Sequence, residues 1–354
     1  MGFPEVVINL TKIEQNARTL VRIARPYGVE IVGVTKVCLG GPQVAGAMVA
    51  GGIKILADSR LENLEKLRRA FPQVPLMLLR LPGPSRIAET VSLADISLNS
   101  ELSVLKELSA EAVRQGKQHR VILMVDMGDL REGIWPEQLA DLVEDTGKLD
   151  GIILEGLGTN LACFGGVVPT VKNMNEMVTL AGGVEKALGV EFKVLSGGNS
   201  AALPLLMRGE LPVRINQLRI GEGIMLGRET VSRTLLPGAA GDAFTLRAEV
   251  LERQEKPTVP RGVTAEDAFG HHPQFVDEGW KARGIVALGR QDVPVDGVIP
   301  RDCRVRIFGA SSDHLIIDLS GAPDIKVGSV IEFDLTYGGL LGAMTSPYIE
   351  KRCI

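Results

Sequence analysis

Short runs of apolar residues alternate with longer amphipathic segments over the first two thirds of the chain. After an opening run, EVVINL, eight more follow: VEIVGVT, IKIL, PLMLLR, DISL, RVILMVD, IILEGLG, FKVLS and NQLRI. Such runs are typical of strands buried in a parallel sheet, and the segments between them, such as SRLENLEKLRRAF, have helical periodicity. Eight strand–helix units in roughly 230 residues predict a closed (β/α)8 barrel of the TIM type. An open, doubly wound sheet is the alternative.

The pattern changes near PGAAG, residues 237–241. Extended runs separated by turn residues follow, and helical patterns disappear; the runs are AFTLRAEVLE, ARGIVALG, CRVRIFG, DHLIIDLS and SVIEFDLTYG. This predicts a smaller, mostly antiparallel β domain. We therefore expect a barrel over residues 1–235, whose opening strand is a candidate for pairing with the β domain, and a β domain over residues 236–354. The polar stretch from Glu255 to Glu278 is predicted to be a loop.

Composition narrows the classes of partner and compartment. The net charge of -4 argues against nucleic acid or an anionic membrane as a main partner. No pair of the four cysteines has metal-ligand spacing, so no metal site is expected, and in a chain of this length they indicate a reducing compartment. The N-terminal residues MGFPEVVINL lack the basic and apolar regions of a signal peptide. We expect a cytoplasmic protein.

Lys36 follows the first predicted barrel strand, in IVGVTKVCLGG. An amine at the end of a buried strand is costly without a partner or a task, and by itself it usually extends to solvent or pairs with a carboxylate. Glycine-rich turns, SGGNS and IGEG, follow the last two barrel strands. They expose backbone N–H groups, and Ser196 and Ser200 add hydroxyls. In such barrels these loops commonly bind a phosphate, although ordinary tight turns are the alternative.

Closure of the barrel would bring this phosphate site next to the first strand. Lys36 could then reach a phosphorylated aldehyde, which is the requirement for a Schiff base with pyridoxal 5'-phosphate. Arg219 ends the last strand, beside the same space. An arginine against the pyridine nitrogen would keep that nitrogen unprotonated, because the guanidinium stays charged. The cofactor would then be a weaker electron sink, which favours racemisation over transamination.

Eight motifs in order carry a resemblance that covers essentially the whole chain: VTKVCLG, ADSRLEN, VDMGDLREG, GTNLACFGG, SGGNSAAL, QLRIGEGIMLG, ALGRQDV and GASSDHLIIDL. The chain resembles the fold-type III pyridoxal phosphate enzymes of the alanine racemase superfamily, and within it the ornithine racemase branch. The resemblance implies racemisation of a free amino acid by a homodimer in which the partner's β domain completes each active site.

The resemblance also implies residue roles. Lys36 matches the Schiff-base lysine, which is the acid/base on one face of Cα, and Arg219 matches the arginine at the pyridine nitrogen. Asn160 stands where alanine racemases usually have a histidine stacked on the ring, and Arg131 where they have an arginine near the substrate carboxylate. The predicted cofactor-binding set is Lys36, Asn160, Ser196, Asn199, Ser200, Arg219, Gly221 and Glu222.

The chain departs from the family at the second acid/base. Alanine racemases supply a tyrosine from a turn of the β domain, whereas the matching turn here reads Gly289-Arg290-Gln291-Asp292. The FGASSDHL turn offers Asp313 and His314 instead, and we predict both to be catalytic. A histidine has a suitable intrinsic pKa, although a structural histidine at a strand end is an equal alternative. Arg290 is a predicted clamp for the substrate carboxylate.

Acidic residues near the predicted strand ends bear on the substrate. They are Asp126, Asp129, Glu132 and Glu222. A carboxylate there could hold the distal amine of ornithine or lysine, and Asp126 is a predicted substrate contact. An ion pair with a neighbouring arginine is the alternative, especially for Asp129 and Glu222.

We predict racemisation of ornithine, lysine or another basic amino acid. The alternatives are an alanine or broad-specificity racemase and a non-catalytic pyridoxal phosphate carrier. A decarboxylase of this fold is disfavoured by Arg219, and an aldolase would use Lys36 without the cofactor.

Overall fold

The computed structural model describes residues 2–354, and the chain forms two compact units. The barrel unit is Leu10–Ala243, and the β unit combines residues 2–9 with Phe244–Ile354. These bounds differ from the predicted 1–235 and 236–354. The reason is that strand β1 (Glu5–Ile8) pairs antiparallel with the strand that begins at Phe244 and parallel with the last strand of the chain.

The barrel unit contains eight parallel strands that close on themselves, which confirms the predicted (β/α)8 barrel and excludes the open sheet. Its strands are β2 (Glu30–Val34), β3 (Ile55–Asp58), β4 (Leu76–Leu78), β5 (Ile96–Asn99), β6 (His119–Met124), β7 (Ile152–Gly158), β8 (Val194–Ser196) and β9 (Gln217–Ile220). Its helices are α1 (Leu10–Ala24), α2 (Pro42–Ala50), α3 (Leu61–Ala70), α4 (Ile87–Leu93), α5 (Leu102–Arg114), α6 (Leu139–Gly147), α7 (Val171–Leu188), α8 (Leu203–Met207) and α9 (Glu222–Met225).

Alternate residues of the barrel strands form a buried apolar cluster, as expected where side chains point alternately inward and outward. The cluster contains Val32, Val34, Ile55, Ala57, Met77, Ile96, Leu98, Ile122 and Met124. The barrel centre is therefore packed with apolar side chains and is not an open pore. Among the described residues, no helix is both long enough and apolar enough to cross a membrane.

The β unit is mostly antiparallel, as predicted. Its remaining strands are β10 (Phe244–Pro257), β11 (Trp280–Val286), β12 (Val298–Pro300), β13 (Arg306–Ala310), β14 (Leu315–Asp318), β15 (Val330–Leu335) and β16 (Glu350–Cys353), and helix α10 (Tyr337–Thr345) precedes β16. The strands lie in the order β12-β15-β10-β11-β14-β13, and β1 joins β10 to β16.

Two predictions for the β unit were wrong in detail. Helical structure does not disappear, because YGGLLGAMT forms α10 in spite of its glycines. Gly339 has to be glycine, since a Cβ there would lie 2.0 Å from the Gly297 oxygen, and the Thr336 hydroxyl accepts a hydrogen bond from its N–H. The loop after β10 is residues 258–279 rather than Glu255–Glu278, because β10 stays paired with β11 as far as Pro257.

A buried histidine in the barrel wall makes stability depend on pH. His119 begins β6, is 2% exposed, and its Nε2 lies 2.7 Å from the Ser97 hydroxyl oxygen. Burial lowers the pKa of His119 to about 4. The unfolded chain binds a proton near pH 6.5 and the folded chain does not, so stability is present above about pH 6.5 and is lost as the pH falls towards 4.

We expect this histidine to remove on the order of 3 kcal/mol of stability between about pH 6.5 and 4. Urea unfolding of the wild type and of His119→Gln at both pH values measures it. The wild type should lose more stability on acidification than the variant. Equal losses in the two proteins would contradict the assignment.

Candidate active site

Lys36 lies directly after β2, at the carboxyl end of the barrel. It begins a single 3-10 turn, Lys36–Cys38, and its side chain is exposed although Thr35 and Val37 on either side are buried. The turn ends in a left-handed residue, Leu39, with φ of 54°. This turn presents the amine at the end of the barrel where such folds carry their reactive groups.

A buried carboxylate anchors the turn that carries Lys36. Asp58, at the end of β3, is fully buried and accepts hydrogen bonds from the Thr35 hydroxyl (2.7 Å) and the Asn63 amide (3.0 Å). Burial raises the pKa of Asp58, while these two hydrogen bonds oppose the rise. Because Thr35 immediately precedes Lys36, the network holds the lysine backbone in place. The sequence analysis included Asp58 in the ADSRLEN motif but gave it no role.

Arg219 is a buried cation in the wall of the barrel. It lies on β9 opposite Val32 of β2, is 5% exposed, and donates hydrogen bonds to the Ser196 hydroxyl (2.5 Å) and the Thr159 carbonyl (2.8 Å). Burial lowers the pKa of Arg219 to about 10, so the guanidinium is charged at neutral pH. Within residues 2–354, no carboxylate lies within 4.0 Å of it. A buried charge without an ion-pair partner is costly, so the Arg219 guanidinium is a candidate for binding a ligand.

The loops after β7, β8 and β9 meet around Asn199 and Ser200. The Asn199 amide donates to the Asn160 side-chain oxygen (3.0 Å) and the Leu161 carbonyl (2.8 Å). Ser200 is buried, and its hydroxyl accepts a hydrogen bond from the Gly223 N–H (3.1 Å). The side-chain nitrogen of Asn160 is buried and has no hydrogen-bond partner. The structure therefore brings these predicted residues together, with one polar atom left for a ligand.

The loop after β6 carries two of the acidic residues considered from the sequence. Asp126 accepts hydrogen bonds from the Gly128 and Leu130 N–H groups of its own loop (2.8 and 3.2 Å). Asp129 is 1% exposed and accepts from backbone N–H groups of the loop after β7, among them Phe164 (2.9 Å) and Val167 (3.1 Å). Burial would raise the pKa of Asp129, but these hydrogen bonds outweigh burial and lower it. The proposed arginine partner for Asp129 was wrong, because backbone groups fill that role.

Two ion pairs involve the remaining acidic residues. Glu132 pairs with its neighbour Arg131, which also donates to the Cys163 sulfur (2.6 Å). Glu222 pairs with Arg233 (2.7 Å), which agrees with the alternative of an ion pair with a neighbouring arginine. Burial raises the pKa of Glu222, and the charge of Arg233 opposes the rise. Glu222 thus has a structural partner in addition to its predicted place in the cofactor site.

The predicted catalytic residues of the β unit lie on two turns that pack together. The Arg290 and Gln291 N–H groups donate to the Ser311 and Ser312 carbonyls (both 3.0 Å). A Cβ at Gly289 would lie 2.2 Å from the Ser312 oxygen, so only glycine allows this approach. The Arg290 guanidinium stacks over the ring of Phe269 at 4.6 Å. The turn that carries Asp313 and His314 therefore lies directly against the Gly289–Asp292 turn, which has no tyrosine.

A cleft of about 410 Å³ in the β unit contains His314 and Asp313. Both side chains are exposed, and Gln291 and Asp292 of the first turn line the same cleft. Tyr348 lines it as well, 68% exposed. The sequence analysis missed Tyr348 because it lies far along the chain from either turn. The structure thus groups Lys36, Arg219 and the phosphate-loop residues in the barrel unit, and Arg290, Asp313 and His314 in the β unit.

Comparison with known proteins gives a consistent family. Residues 8–229 match the family model described as alanine racemase, N-terminal domain. The chain is 42% identical to a lysine racemase of Thermotoga maritima, over 99% of this chain and 98% of that protein. It is 38% identical to an ornithine racemase of Acetoanaerobium sticklandii, over 99% of this chain and 100% of that protein.

Solved structures share the fold at lower identity. An alanine racemase from Bartonella henselae superposes with a TM-score of 0.78 at 17% identity and covers all of both chains. An alanine racemase from Clostridium difficile 630 gives 0.75 at 18% identity, over 99% of this chain and 95% of that one. Together with the family model and the full-length relatives, these likenesses show that the chain belongs to the alanine racemase family and is an amino-acid racemase of fold type III.

Proposed function

We propose that this protein racemises a free basic amino acid, ornithine or lysine, with pyridoxal 5'-phosphate as its cofactor. The observation that carries the proposal is the buried Arg219 guanidinium, which lacks a carboxylate partner among the described residues and lies in the same barrel as the exposed Lys36. The lysine and ornithine racemases named above support a substrate with a second amino group.

The residues present fit this cofactor. Arg219 offers a charged donor for the pyridine nitrogen, and the Ser196 hydroxyl accepts a hydrogen bond from the guanidinium and so helps to fix its direction. Ser200 and the backbone around Gly221 would hold the phosphate. The buried, unpartnered Asn160 nitrogen and the buried, unpartnered Thr159 hydroxyl are further polar atoms that a ligand could satisfy.

When bound, pyridoxal phosphate withdraws electrons from the Cα of an attached amino acid and so acidifies its proton. Lys36 would hold the cofactor covalently and then take the Cα proton, or return one, on its own face of the substrate. Arg219 would keep the pyridine nitrogen unprotonated and limit electron withdrawal. This role of Arg219 would favour return of a proton to Cα over transamination.

An alanine or broad-specificity racemase is the alternative substrate assignment. The non-catalytic carrier is not supported, because carriers of this type lack a β domain and this chain aligns with 98% or more of two named racemases. We further propose a cytoplasmic location, which the wide spacing of the four cysteines along the chain supports.

Chiral chromatography after incubation with single enantiomers tests the substrate. The panel contains ornithine, lysine, alanine and serine, with added pyridoxal phosphate. We expect rapid interconversion of ornithine or lysine and slow turnover of alanine. Faster turnover of alanine than of both basic amino acids would refute the assignment.

We also propose that His314 is the second acid/base and that a homodimer brings it to Lys36 of the other copy. His314 lies in the cleft formed by the two packed turns, where its ring can exchange protons with a ligand. His314→Asn should slow proton transfer on one face of Cα and therefore racemisation in both directions, while exchange of the Cα proton on the Lys36 face continues. Tyr348→Phe is the matched comparison in the same cleft, and a larger effect there would transfer the role to Tyr348.

Co-expression of two inactive variants tests the shared site. If each site combines Lys36 of one copy with His314 of the other, a mixed dimer of Lys36→Ala and His314→Asn has one intact site. Random mixing should restore about a quarter of the wild-type activity, because an isologous dimer carries two equivalent sites. No recovery in a sample that contains mixed dimers would show that each site belongs to one copy.

A further inference from the structure

The four acidic residues that could hold the distal amine of a substrate differ in their hydrogen-bond and ion-pair partners. Asp129 is enclosed by backbone donors, and Asp126 binds N–H groups of its own loop. Glu222 pairs with Arg233, an arginine eleven positions along the chain. Glu132 remains, and its partner is the adjacent Arg131.

The Glu132 carboxylate is partly buried, with its side chain 16% exposed, whereas the Arg131 side chain is 37% exposed. Burial lowers the pKa of Arg219, the charge of Glu132 opposes this fall and the charge of Arg131 adds to it, so both charges act on the barrel-wall guanidinium. Arg131 also contacts Cys163, in the loop that follows Asn160. The pair therefore lies at the end of the barrel where Arg219 and Asn160 are found.

The loop that carries Glu132 is held rigidly at both ends. The Ile134 N–H donates to the Met124 carbonyl (2.8 Å), and the Asp126 N–H donates to the Ile134 carbonyl (3.0 Å). Gly133 has φ of 133°, and a Cβ there would lie 2.4 Å from the Asp126 nitrogen. The chain thus returns to the end of β6 one residue after Glu132. A fixed carboxylate in this position is suited to selective recognition.

We propose that Glu132 selects basic substrates by binding the side-chain ammonium, while Arg131 binds the carboxylate. This inference rests on the proposed function and names the residue that sets its specificity. In the protein alone the two side chains neutralise each other through two hydrogen bonds. A basic amino acid carries both a carboxylate and a second ammonium, so it can replace each half of the pair by an equivalent charge.

Alanine satisfies only half of this arrangement. Its carboxylate would take Arg131 and leave a partly buried Glu132 carboxylate without a cation. An unpaired buried charge costs more than the pair gains, so the preference for basic substrates arises partly from this penalty.

The test compares lysine with norleucine, which has the same chain length without the ammonium. We measure kcat/KM for both amino acids in the wild type, Glu132→Gln, Glu132→Asp and Glu137→Gln. In Glu132→Gln the ratio of lysine to norleucine should fall about 30-fold, the size of one charge-assisted hydrogen bond, with norleucine unchanged or faster. Glu132→Asp, which keeps the charge, should retain part of the ratio.

Glu137→Gln is the matched control, because Glu137 is an exposed carboxylate on the same connection and should leave the ratio unchanged. A ratio that stays within twofold in Glu132→Gln would overturn the inference, and so would an equal loss for both substrates. Failure of the proposed function is distinguishable, because the wild type would then show no preference for lysine over norleucine.

Discussion

Replacing Lys36 with alanine should lower racemisation by at least about a thousandfold, because the variant loses both the covalent attachment of the cofactor and one proton-transfer group. Only the side chain is removed, and the turn should persist because the hydrogen bond of Thr35 to Asp58 holds its backbone. Purified variant protein should also lack the visible absorbance of covalently bound pyridoxal phosphate. Activity assays and absorbance spectra on the same preparation measure both effects.

The matched control is Lys54→Ala, an exposed lysine of the same barrel unit. It should keep both the colour and the activity. Retention of a covalent cofactor in Lys36→Ala would contradict the assignment of the lysine, whatever the residual activity. An added primary amine should restore part of the lost rate in Lys36→Ala if proton transfer is the missing function.

Replacing Arg219 with glutamate should lower racemisation by about a hundredfold and raise the share of turnovers that end in transamination. A carboxylate at this position favours a protonated pyridine nitrogen and a stronger electron sink. The same substitution places a negative charge beside the Thr159 carbonyl, which now accepts from the guanidinium. The ratio of keto acid to opposite enantiomer, measured by chromatography, reports the partitioning directly.

Arg219→Gln separates the electronic effect from local damage, because it removes the charge and keeps a hydrogen-bond donor. We expect partitioning between that of the wild type and that of Arg219→Glu, and circular dichroism shows whether each variant is folded. Unchanged partitioning in both folded variants would mean that Arg219 does not act on the pyridine nitrogen.

The barrel could be predicted because its strands are buried on both faces and therefore appear as continuous apolar runs. Lys36 could be singled out because a charge interrupts such a run, and Arg219 because it ends the last one. By contrast, α10 was not predicted, because glycine is a poor helix former. Its Gly339 is needed for the close contact with the Gly297 backbone.

The partners of the acidic residues could not be read from the sequence, because each is decided by loops that meet only in the folded barrel. Asp129 finds backbone donors more than thirty residues away, and Asp58 finds Thr35, the residue that directly follows β2. Tyr348 was missed for the same reason, since its cleft is assembled from five separate segments of the β unit. The local pattern of apolar and polar residues predicts the helices and strands. Tertiary contacts decide which charged side chains are available to bind a substrate or cofactor.

Proton NMR in deuterated water tests the central claim most directly. The protein is incubated with pyridoxal phosphate and L-ornithine or L-lysine, and the Cα proton signal is followed while samples are separated on a chiral column. The account predicts loss of the Cα proton signal together with formation of the D-enantiomer. A yellow, folded protein that leaves the Cα proton in place and forms no D-enantiomer would contradict it.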